Sequence, residues 1–312
     1  MTEPDSIEQL PTRLSPSRAK DFVQCPKLFH FKTVLGRVTP PTPQTARGNV
    51  VHTALERLFD HPADERHTPD VALSYVRPAW EVMIDPIKSR EEVAPGSPEA
   101  AIRDASALWA ELLDHDSEHT ARILRDAEAL GEVVPPDSDI EAAMLAEAEA
   151  SVVNYFTVER PWNFEPHGRE VHVEATTGSV DLHGFIDRLD VVEGPDGEQR
   201  VFISDYKTGK VPSARFIGES YFAMRIYALL YFKSTGVIPR KLRLIYVAAA
   251  KEQAIQFEEV DQALLDRTEA EINRIWADIE QAARTGHWPT KVQKLCDWCH
   301  FKAECPAFAP AA

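Results

Sequence analysis

Two acids and a lysine near the middle of the chain have the residue types and the spacing of a metal-dependent hydrolytic site. Asp205 and Lys207 lie two residues apart at the end of an apolar stretch, and Asp187 lies in the preceding one. Side chains alternate between the faces of a strand, so Asp205 and Lys207 share a face, and a hairpin can bring Asp187 beside them. A divalent cation relieves the repulsion between two carboxylates, and oxygen ligands favour Mg2+ or Mn2+. A lysine there can orient a water or stabilise a phosphorane.

The same residues also have a simpler interpretation as a surface salt bridge. An isolated Asp-x-Lys pair on a half-exposed strand is usually of that kind. Here the pair is followed directly by Thr208-Gly209, and the preceding strand carries Gly184-Phe185-Ile186-Asp187-Arg188. This combination favours a functional site over a salt bridge.

The four cysteines of the chain form a second constellation. Cys296, Cys299 and Cys305 lie within the last seventeen residues of the sequence, and Cys25 lies near its beginning. Four cysteines are too few for the disulfide framework of a secreted protein. Four thiolates suit either structural zinc or an iron–sulfur cluster, and such a centre would clip the two ends of the chain together.

The elements that must position these residues follow from periodicity. Helices are predicted over 14–33, which carries Cys25, and from Val50 to Phe59, which carries His52. Residues 70–160 contain several helices broken by prolines. The remaining predicted elements are strands from Glu170 and over Val180–Val192, a hairpin turn at Gly194–Gly197, a strand Val201–Lys207, a helix Ser220–Thr235, a strand Leu242–Ala248 and a helix Ala263–Thr285. This order indicates a mixed α/β core.

Charge is distributed very unevenly along the 312 residues. The net charge of −16 argues at first against a nucleic-acid partner, because phosphates repel acids. Residues 91–150, however, carry a net −13, whereas residues 11–50 and 201–250 each carry +6. The candidate phosphate contacts in these two basic segments are Arg13, Arg18, Lys20, Lys27, Lys32, Lys207, Lys210, Arg215, Arg225, Lys233, Arg240, Lys241 and Arg243. Phe216, Tyr221 and Phe222 can either stack on bases or pack in the core.

With these motifs in order, the chain resembles the RecB-like branch of the PD-(D/E)xK nuclease superfamily, and within it the stand-alone RecB-family exonucleases with a four-cysteine iron–sulfur motif. The matching pieces span residues 14–306, and they are Leu14-Ser15-Pro16-Ser17, Cys25-Pro26, Gly48 to His52, Gly184 to Asp187, Asp205-Tyr206-Lys207-Thr208-Gly209, Tyr227 and the cysteine tail. The resemblance implies a restriction-endonuclease-like α/β core, a mixed central sheet flanked by helices, with an inserted helical region and a C-terminal iron–sulfur staple.

The resemblance also implies roles for individual residues. Asp187, Asp205 and Lys207 would be catalytic, and His52, Asp187, Asp205 and the Tyr206 carbonyl would bind Mg2+ or Mn2+. Cys25, Cys296, Cys299 and Cys305 would hold a 4Fe-4S cluster, with zinc as the alternative. The DNA contacts implied are Arg225, Tyr227, Lys210 and Arg215. Glu170 is either a supporting acid or a solvated glutamate at a strand end.

The chain departs from the family at one position. Where the family has Gln-x-x-x-Tyr on the helix after the catalytic strand, this sequence has Ala223 and Tyr227. Arg225 is the candidate substitute for the glutamine. The missing glutamine also favours an alternative function, a non-catalytic DNA-binding or assembly subunit that keeps the fold and the cluster as a scaffold.

Together these features predict a metal-dependent DNA exonuclease on single-stranded or end-frayed DNA, acting in DNA repair or recombination. The acidic segment 91–150 would then dock a helicase or another repair protein. Apolar runs such as Ile226–Phe232 are too short for a membrane helix, so we expect a cytoplasmic protein with no membrane partner. The predicted regions are residues 1–60 (N-terminal helices with Cys25 and His52), 61–165 (acidic helical insertion), 166–290 (nuclease core) and 291–312 (cysteine segment).

Overall fold

The computed structural model describes residues 9–37, 39, 42–84 and 140–308. The strands in these residues are β1 (Arg13–Leu14), β2 (Gly168–Thr177), β3 (Val180–Glu193), β4 (Gln199–Lys207), β5 (Lys241–Tyr246) and β6 (Ile255–Glu259). The α-helices are α1 (Pro16–Gln24), α2 (Pro26–Phe29), α3 (Pro43–Leu58), α4 (Asp70–Leu73), α5 (Val76–Ile84), α6 (Ile140–Val158), α7 (Ile217–Ser220), α8 (Phe222–Thr235), α9 (Lys251–Ala254) and α10 (Gln262–Thr285).

Side-chain caps fix where the helices near the site begin. The Ser15 hydroxyl accepts a hydrogen bond from the backbone N–H of Arg18 at 3.3 Å, and a proline occupies the first position of α1. Thr42 caps α3 in the same way, through the backbone N–H of Thr45 at 3.2 Å. Such caps stabilise a helix by about 1 kcal/mol each. They fix the first turns of α1, which leads to Cys25, and of α3, which carries His52.

The described strands form one mixed sheet. Its order is β1-β3-β4-β5-β6, and β2 pairs with the other edge of β3. Antiparallel pairing joins β2 to β3, β3 to β4 and β5 to β6, whereas β1–β3 and β4–β5 are parallel. The parallel β4–β5 pair requires a crossover connection, which α8 supplies.

Helices cover both faces of the sheet and create two apolar cores. The first core packs α1, α8 and α10 against β3, β4 and β5, with Leu229, Ile203 and Ile272 fully buried. The second core packs α3, α4, α5 and α6 against the other face, and Tyr206 and Ile245 of the sheet contribute to it. This confirms the expectation of a mixed central sheet flanked by helices.

The predicted acidic insertion is only partly described. Its first part contains α4 and α5 and its last part contains α6, all of which pack in the second core. Residues 85–139, which carry most of the negative charge, lie outside the described residues. No helix in the described part of the chain is both long enough and apolar enough to cross a membrane.

The two ends of the described chain meet. The side chain of Gln293 donates a hydrogen bond to the Gln24 carbonyl at 2.8 Å, and Lys291 Nζ donates to the Val23 carbonyl at 3.1 Å. The rings of Phe31 and Phe301 stack with centroids 4.8 Å apart. Protein contacts therefore bring the C-terminal segment against α1 and α2.

Candidate active site

Asp187 and Asp205 lie side by side where β3 and β4 separate. The last regular pair of the two strands is Arg188 with Ser204, so the two acids occupy the next position along the antiparallel ladder. Asp187 Oδ2 accepts a hydrogen bond from the backbone N–H of Tyr206 at 3.0 Å. Asp205 is 8% exposed. The hairpin thus brings together the two carboxylates that lie 18 residues apart in the sequence.

Lys207 pairs with the second of these acids. Its Nζ lies 2.5 Å from Asp205 Oδ2, and the two side chains share a strand face as the period of two predicts. Burial by itself would lower the pKa of Lys207, but the charge of Asp205 beside it outweighs burial and raises that pKa above its ordinary value. Lys207 is therefore a fixed cation at the carboxylate pair.

His52 completes the group from the opposite layer. It lies on α3, and its Nε2 is 2.7 Å from the Tyr206 carbonyl oxygen while its Nδ1 is 3.2 Å from Asp187 Oδ2. Since a carbonyl can only accept, Nε2 carries the proton of that hydrogen bond. The imidazole, the carbonyl and the carboxylate converge on one point between α3 and the ends of β3 and β4.

The donor atoms fit a hard divalent cation. Among the described residues, no group of three or more His, Cys, Asp or Glu side chains is close enough together to hold a metal ion as it stands. The chemistry of the set is nevertheless that of Mg2+ or Mn2+ ligands: two carboxylates, a backbone carbonyl and an imidazole nitrogen. The residues that would hold the cation are Asp187, Asp205, His52 and Tyr206 through its carbonyl.

The alternation of β3 breaks at Asp187. Ile186 packs in the first core, whereas Arg188, two residues later, points to the opposite layer and contacts Tyr206 and Tyr155. Opposite this position on β2, Glu170 has a φ of 45°, in the left-handed region that a non-glycine residue rarely adopts. The sharp twist turns Asp187 towards both Asp205 and His52.

Glu170 itself lies beside the site. Partial burial of its carboxyl raises its pKa, and the nearby charges of Glu56 and Asp205 raise that pKa further. The structure therefore places this glutamate within electrostatic range of the carboxylate pair, beside Glu56 of α3.

Tyr227 approaches the carboxylates from α8. Burial and then the charges of Asp205, Asp187 and Glu170 raise the pKa of its phenol. The ring fits because residue 184 is a glycine, since a Cβ there would lie 2.6 Å from Tyr227 Cε1. The glycine of the Gly184–Asp187 motif is thus explained by packing against the tyrosine.

The other predicted DNA contacts take different positions. Arg225 is held by Glu258 of β6 through hydrogen bonds of 2.8 and 2.6 Å, which direct its guanidinium to the edge strand. Arg215 lies over the Phe216 ring in the exposed segment before α7. Lys210 lines a groove of about 760 Å3 with Arg47 and Thr208, directly beyond Lys207. Of these three, Lys210 lies nearest to Lys207 along the chain.

A buried polar network lies behind the site. Arg188 is 1% exposed and makes a two-pronged contact with Glu159, the residue directly after α6, at 2.7 and 2.9 Å. It also donates to Asp190 Oδ2 at 3.1 Å and to the Tyr206 hydroxyl at 2.7 Å. Because the backbone of Tyr206 contacts both Asp187 and His52, this network fixes the peptide at the centre of the site.

The four cysteines surround one cavity at the junction of the chain ends. Cys25 lies between α1 and α2, and the other three lie in the turns around Lys294–Trp298 and Lys302–Glu304. All four are free, half-buried thiols. Burial raises the pKa of the Cys299 thiol, and the proximity of the other three sulfurs raises it further. The donor set fits a thiolate-bound metal centre.

Cation binding at the carboxylates is expected to strengthen as the pH rises. Burial, and next the charge of Asp205, raise the pKa of Asp187 to about 7. Below that pH a proton must leave before a cation can bind, whereas above it the carboxylate is already ionised. The charged or titratable side chains facing Asp187 are those of Asp205, His52 and Lys207.

We therefore expect the apparent Kd for Mn2+ to fall about tenfold per pH unit up to pH 7 and to level off above it. Calorimetric titration in buffers of different ionisation enthalpy measures both the Kd and the protons released. An equal Kd at pH 5.5 and pH 8, with no proton released, would contradict the assigned ligand.

One family model matches nearly the whole chain. It is described as the PD-(D/E)XK nuclease superfamily, and it covers residues 13–306. Among solved structures, the chain is similar to the crystal structure of a "putative exonuclease" from Eubacterium rectale. The TM-score is 0.47 and the sequence identity 13%, over 96% of this chain and 91% of the other. Among curated proteins, none matches the chain.

Proposed function

Because the chain belongs to the PD-(D/E)XK nuclease superfamily, we propose that it is a metal-dependent DNA exonuclease on single-stranded or end-frayed DNA, serving DNA repair or recombination. The observation that carries this proposal is the meeting of Asp187, Asp205, Lys207 and His52 at the ends of β3 and β4. The substrate class rests on the groove and the basic segments around the site.

The chain's own residues supply the parts of a phosphodiester hydrolysis. A divalent cation, when bound, supplies Lewis-acid activation and charge neutralisation. Asp187, Asp205, His52 and the Tyr206 carbonyl would hold and orient that cation. Lys207 places a positive charge where negative charge develops on the phosphorus oxygens during in-line attack. Lys210 lines the adjoining groove, where it would offer a phosphate backbone a cationic partner, and Arg47 of the same groove is paired with Glu147.

A direct assay tests the proposal. Oligonucleotides labelled at the 5′ or the 3′ end, single-stranded or duplex, are incubated with Mg2+, Mn2+ or chelator. We expect metal-dependent digestion that proceeds from an end and is faster on single strands. DNA binding without cleavage in either metal would instead support the non-catalytic subunit, the alternative that Ala223 favours.

We propose further that Cys25, Cys296, Cys299 and Cys305 hold a 4Fe-4S cluster, with zinc as the alternative occupant. The cavity that all four thiols line supports a single shared centre. Freshly purified protein should then be brown, with a broad absorption near about 400 nm. Colourless protein with one zinc per chain would assign the site to zinc.

The role proposed for this centre is structural, because it joins the chain ends while the acids and the lysine lie on the central hairpin. Cys299→Ala should lower the stability by about 4 kcal/mol, the scale of a crosslink that closes a loop of more than about 100 residues. That loss corresponds to a melting temperature lower by about 10 °C.

The matched control is Leu295→Ala, a half-exposed residue of the same turn. It should melt within about 2 °C of the wild type, since it removes no sulfur. Cleavage by the soluble Cys299→Ala protein should persist at temperatures below its melt. A variant with an unchanged melting temperature and no cleavage would show that the cysteine region acts on DNA directly.

A further inference from the structure

The β2–β3 hairpin has an outer face that carries rings next to the candidate site. Alternate residues of the two strands, including Val173, Leu182 and Ile186, pack in the first core. The residues between them point the other way. We call these residues the hairpin face, and they are His172, Glu174, His183 and Phe185.

Three rings dominate this face. Phe185 is 50% exposed, although it lies in the middle of a long strand. The ring of His172, directly across the ladder, has its centroid 5.0 Å from that of Phe185, and the His183 ring follows at 6.5 Å from His172. A large exposed phenyl flanked by imidazoles offers flat surfaces on which other flat rings can stack.

The hairpin face runs directly into the carboxylate site. Phe185 precedes Asp187 by two residues, which is about 7 Å along a strand, and His172 follows Glu170 by the same interval. From Asp187 to Asp181, β3 extends about 20 Å. This length can accommodate several nucleotides of single-stranded DNA, in which neighbouring phosphates are at least about 3.4 Å apart along the axis. A DNA strand that is cleaved at the carboxylate site therefore lies beside the hairpin face.

Charges border the far end of this face. Arg13 aligns with Asp181, and Arg18 lies next to it, donating to the Arg13 carbonyl at 3.3 Å. The two acids there have partners: Glu174 pairs with Arg13 at 2.7 Å, and Asp181 accepts from Thr176 at 2.6 Å. Burial, and then the charges of Arg18 and Arg13, lower the pKa of His183, so this ring is neutral at physiological pH.

We propose that the hairpin face is a stacking platform for unpaired bases next to the scissile phosphate, with Phe185 and His172 as its centre. The inference rests on the proposed nuclease function and deepens it by assigning a single-stranded substrate to a surface. Paired bases in a duplex cannot reach such a platform, because their faces are already stacked on one another. The platform therefore selects a frayed or single-stranded end.

The test compares Phe185→Ala and His172→Ala with a matched control, Phe257→Ala. Phe257 is a more exposed phenyl, 60% accessible, on the edge strand β6. Stacking of one base is worth about 1–3 kcal/mol, so Phe185→Ala should raise the KM for oligo-dT by between about fivefold and about 150-fold. The kcat should change less than about twofold. Phe185→Trp, which keeps an aromatic ring, should have a KM within about threefold of the wild-type value. Phe257→Ala should have the KM and kcat of the wild type.

A second readout locates the bases directly. An oligonucleotide containing 5-iododeoxyuridine, irradiated on the wild-type protein with Ca2+, should crosslink to Phe185 or His172, as read by mass spectrometry of the digested protein. If Phe185→Ala and His172→Ala both cleave DNA at the wild-type rate with an unchanged KM, and no such crosslink forms, the platform is overturned. The nuclease assignment stays intact in that case. A wild-type protein that cleaves no DNA with Mg2+ or Mn2+ would overturn the nuclease proposal itself.

Discussion

Replacing Asp205 with Ala should abolish metal-dependent DNA cleavage, lowering kcat by at least about a thousandfold. Asp205 is one of two carboxylates that lie together at the ends of β3 and β4. One carboxylate cannot hold and orient the cation, and the lost transition-state stabilisation is worth several kcal/mol. The variant should still fold, because Lys207, the partner left behind, is 37% exposed and can be hydrated.

The matched control is Asp196→Ala. Asp196 also pairs with a basic side chain, Arg200 at 2.6 Å, but in the exposed turn between β3 and β4. Its loss should leave cleavage within about twofold of the wild type. The measurement is the initial rate on end-labelled single-stranded DNA, with a thermal melt of each protein. Digestion by Asp205→Ala at the wild-type rate would show that the assigned site is wrong.

The sequence predicts well what depends on neighbouring residues. The period of two placed Asp205 and Lys207 on one face, and Gly194–Gly197 predicted the hairpin that brings Asp187 to them. The helix predicted from residue 14 begins at Pro16, directly after the Ser15 cap. The cap and the turn are stabilised by residues only a few positions apart, and the alternation along β4 is strict. The local sequence pattern is therefore enough to predict these features.

Elements defined by distant partners were missed. Strand β1 has two residues and exists only because Arg13 and Leu14 pair with Asp181 and Leu182 of β3. The edge strand β6 likewise depends on its pairing with β5. A two-residue strand has no periodicity of its own, and the short strand Ile255–Glu259 has too weak an alternation to stand out from a loop.

The same limit applies around the site. The break in alternation at Asp187 depends on the backbone of Glu170, which no propensity predicts for a glutamate. Arg225 is predicted as a DNA contact and as the substitute for the family glutamine. Its ion pair with Glu258 depends on the edge strand β6, which the sequence does not predict. Phe185 could have been found, because it lies two residues before Asp187 and so near it on the strand.

Arg188 is a fully buried arginine to which the sequence assigns no role. In the sequence it is only the residue after Asp187, because its partner Glu159 lies 29 residues away, directly after α6 in the opposite layer. The structure buries its charge completely and surrounds it with Glu159, Asp190 and the Tyr206 hydroxyl. This network joins the C-terminal end of α6 to the strands that carry Asp187 and Asp205.

Arg188→Met should destabilise the protein by about 3–5 kcal/mol. Methionine nearly fills the volume of the arginine stem but leaves the buried carboxylate of Glu159 without its paired cation, while Asp190 keeps its ion pair with Arg243. An uncompensated buried charge costs that much. The loss corresponds to a melting temperature lower by about 6–20 °C. Arg188→Lys keeps the charge but cannot make the two-pronged contact with Glu159. Its stability should therefore lie between that of the wild type and that of Arg188→Met.

Arg200→Met supplies the contrast, since it removes an arginine paired with an aspartate, Asp196, at the surface. Arg200 is 38% exposed, and such pairs contribute about 0–1 kcal/mol. Urea and thermal unfolding of the three variants and the wild type measure the difference. If Arg188→Met were as stable as Arg200→Met, the network would contribute no more than a surface ion pair, and its anchoring of the Tyr206 peptide would have to be abandoned. If the ordering holds, the stability of the second core and the geometry of the carboxylate site depend on the same arginine.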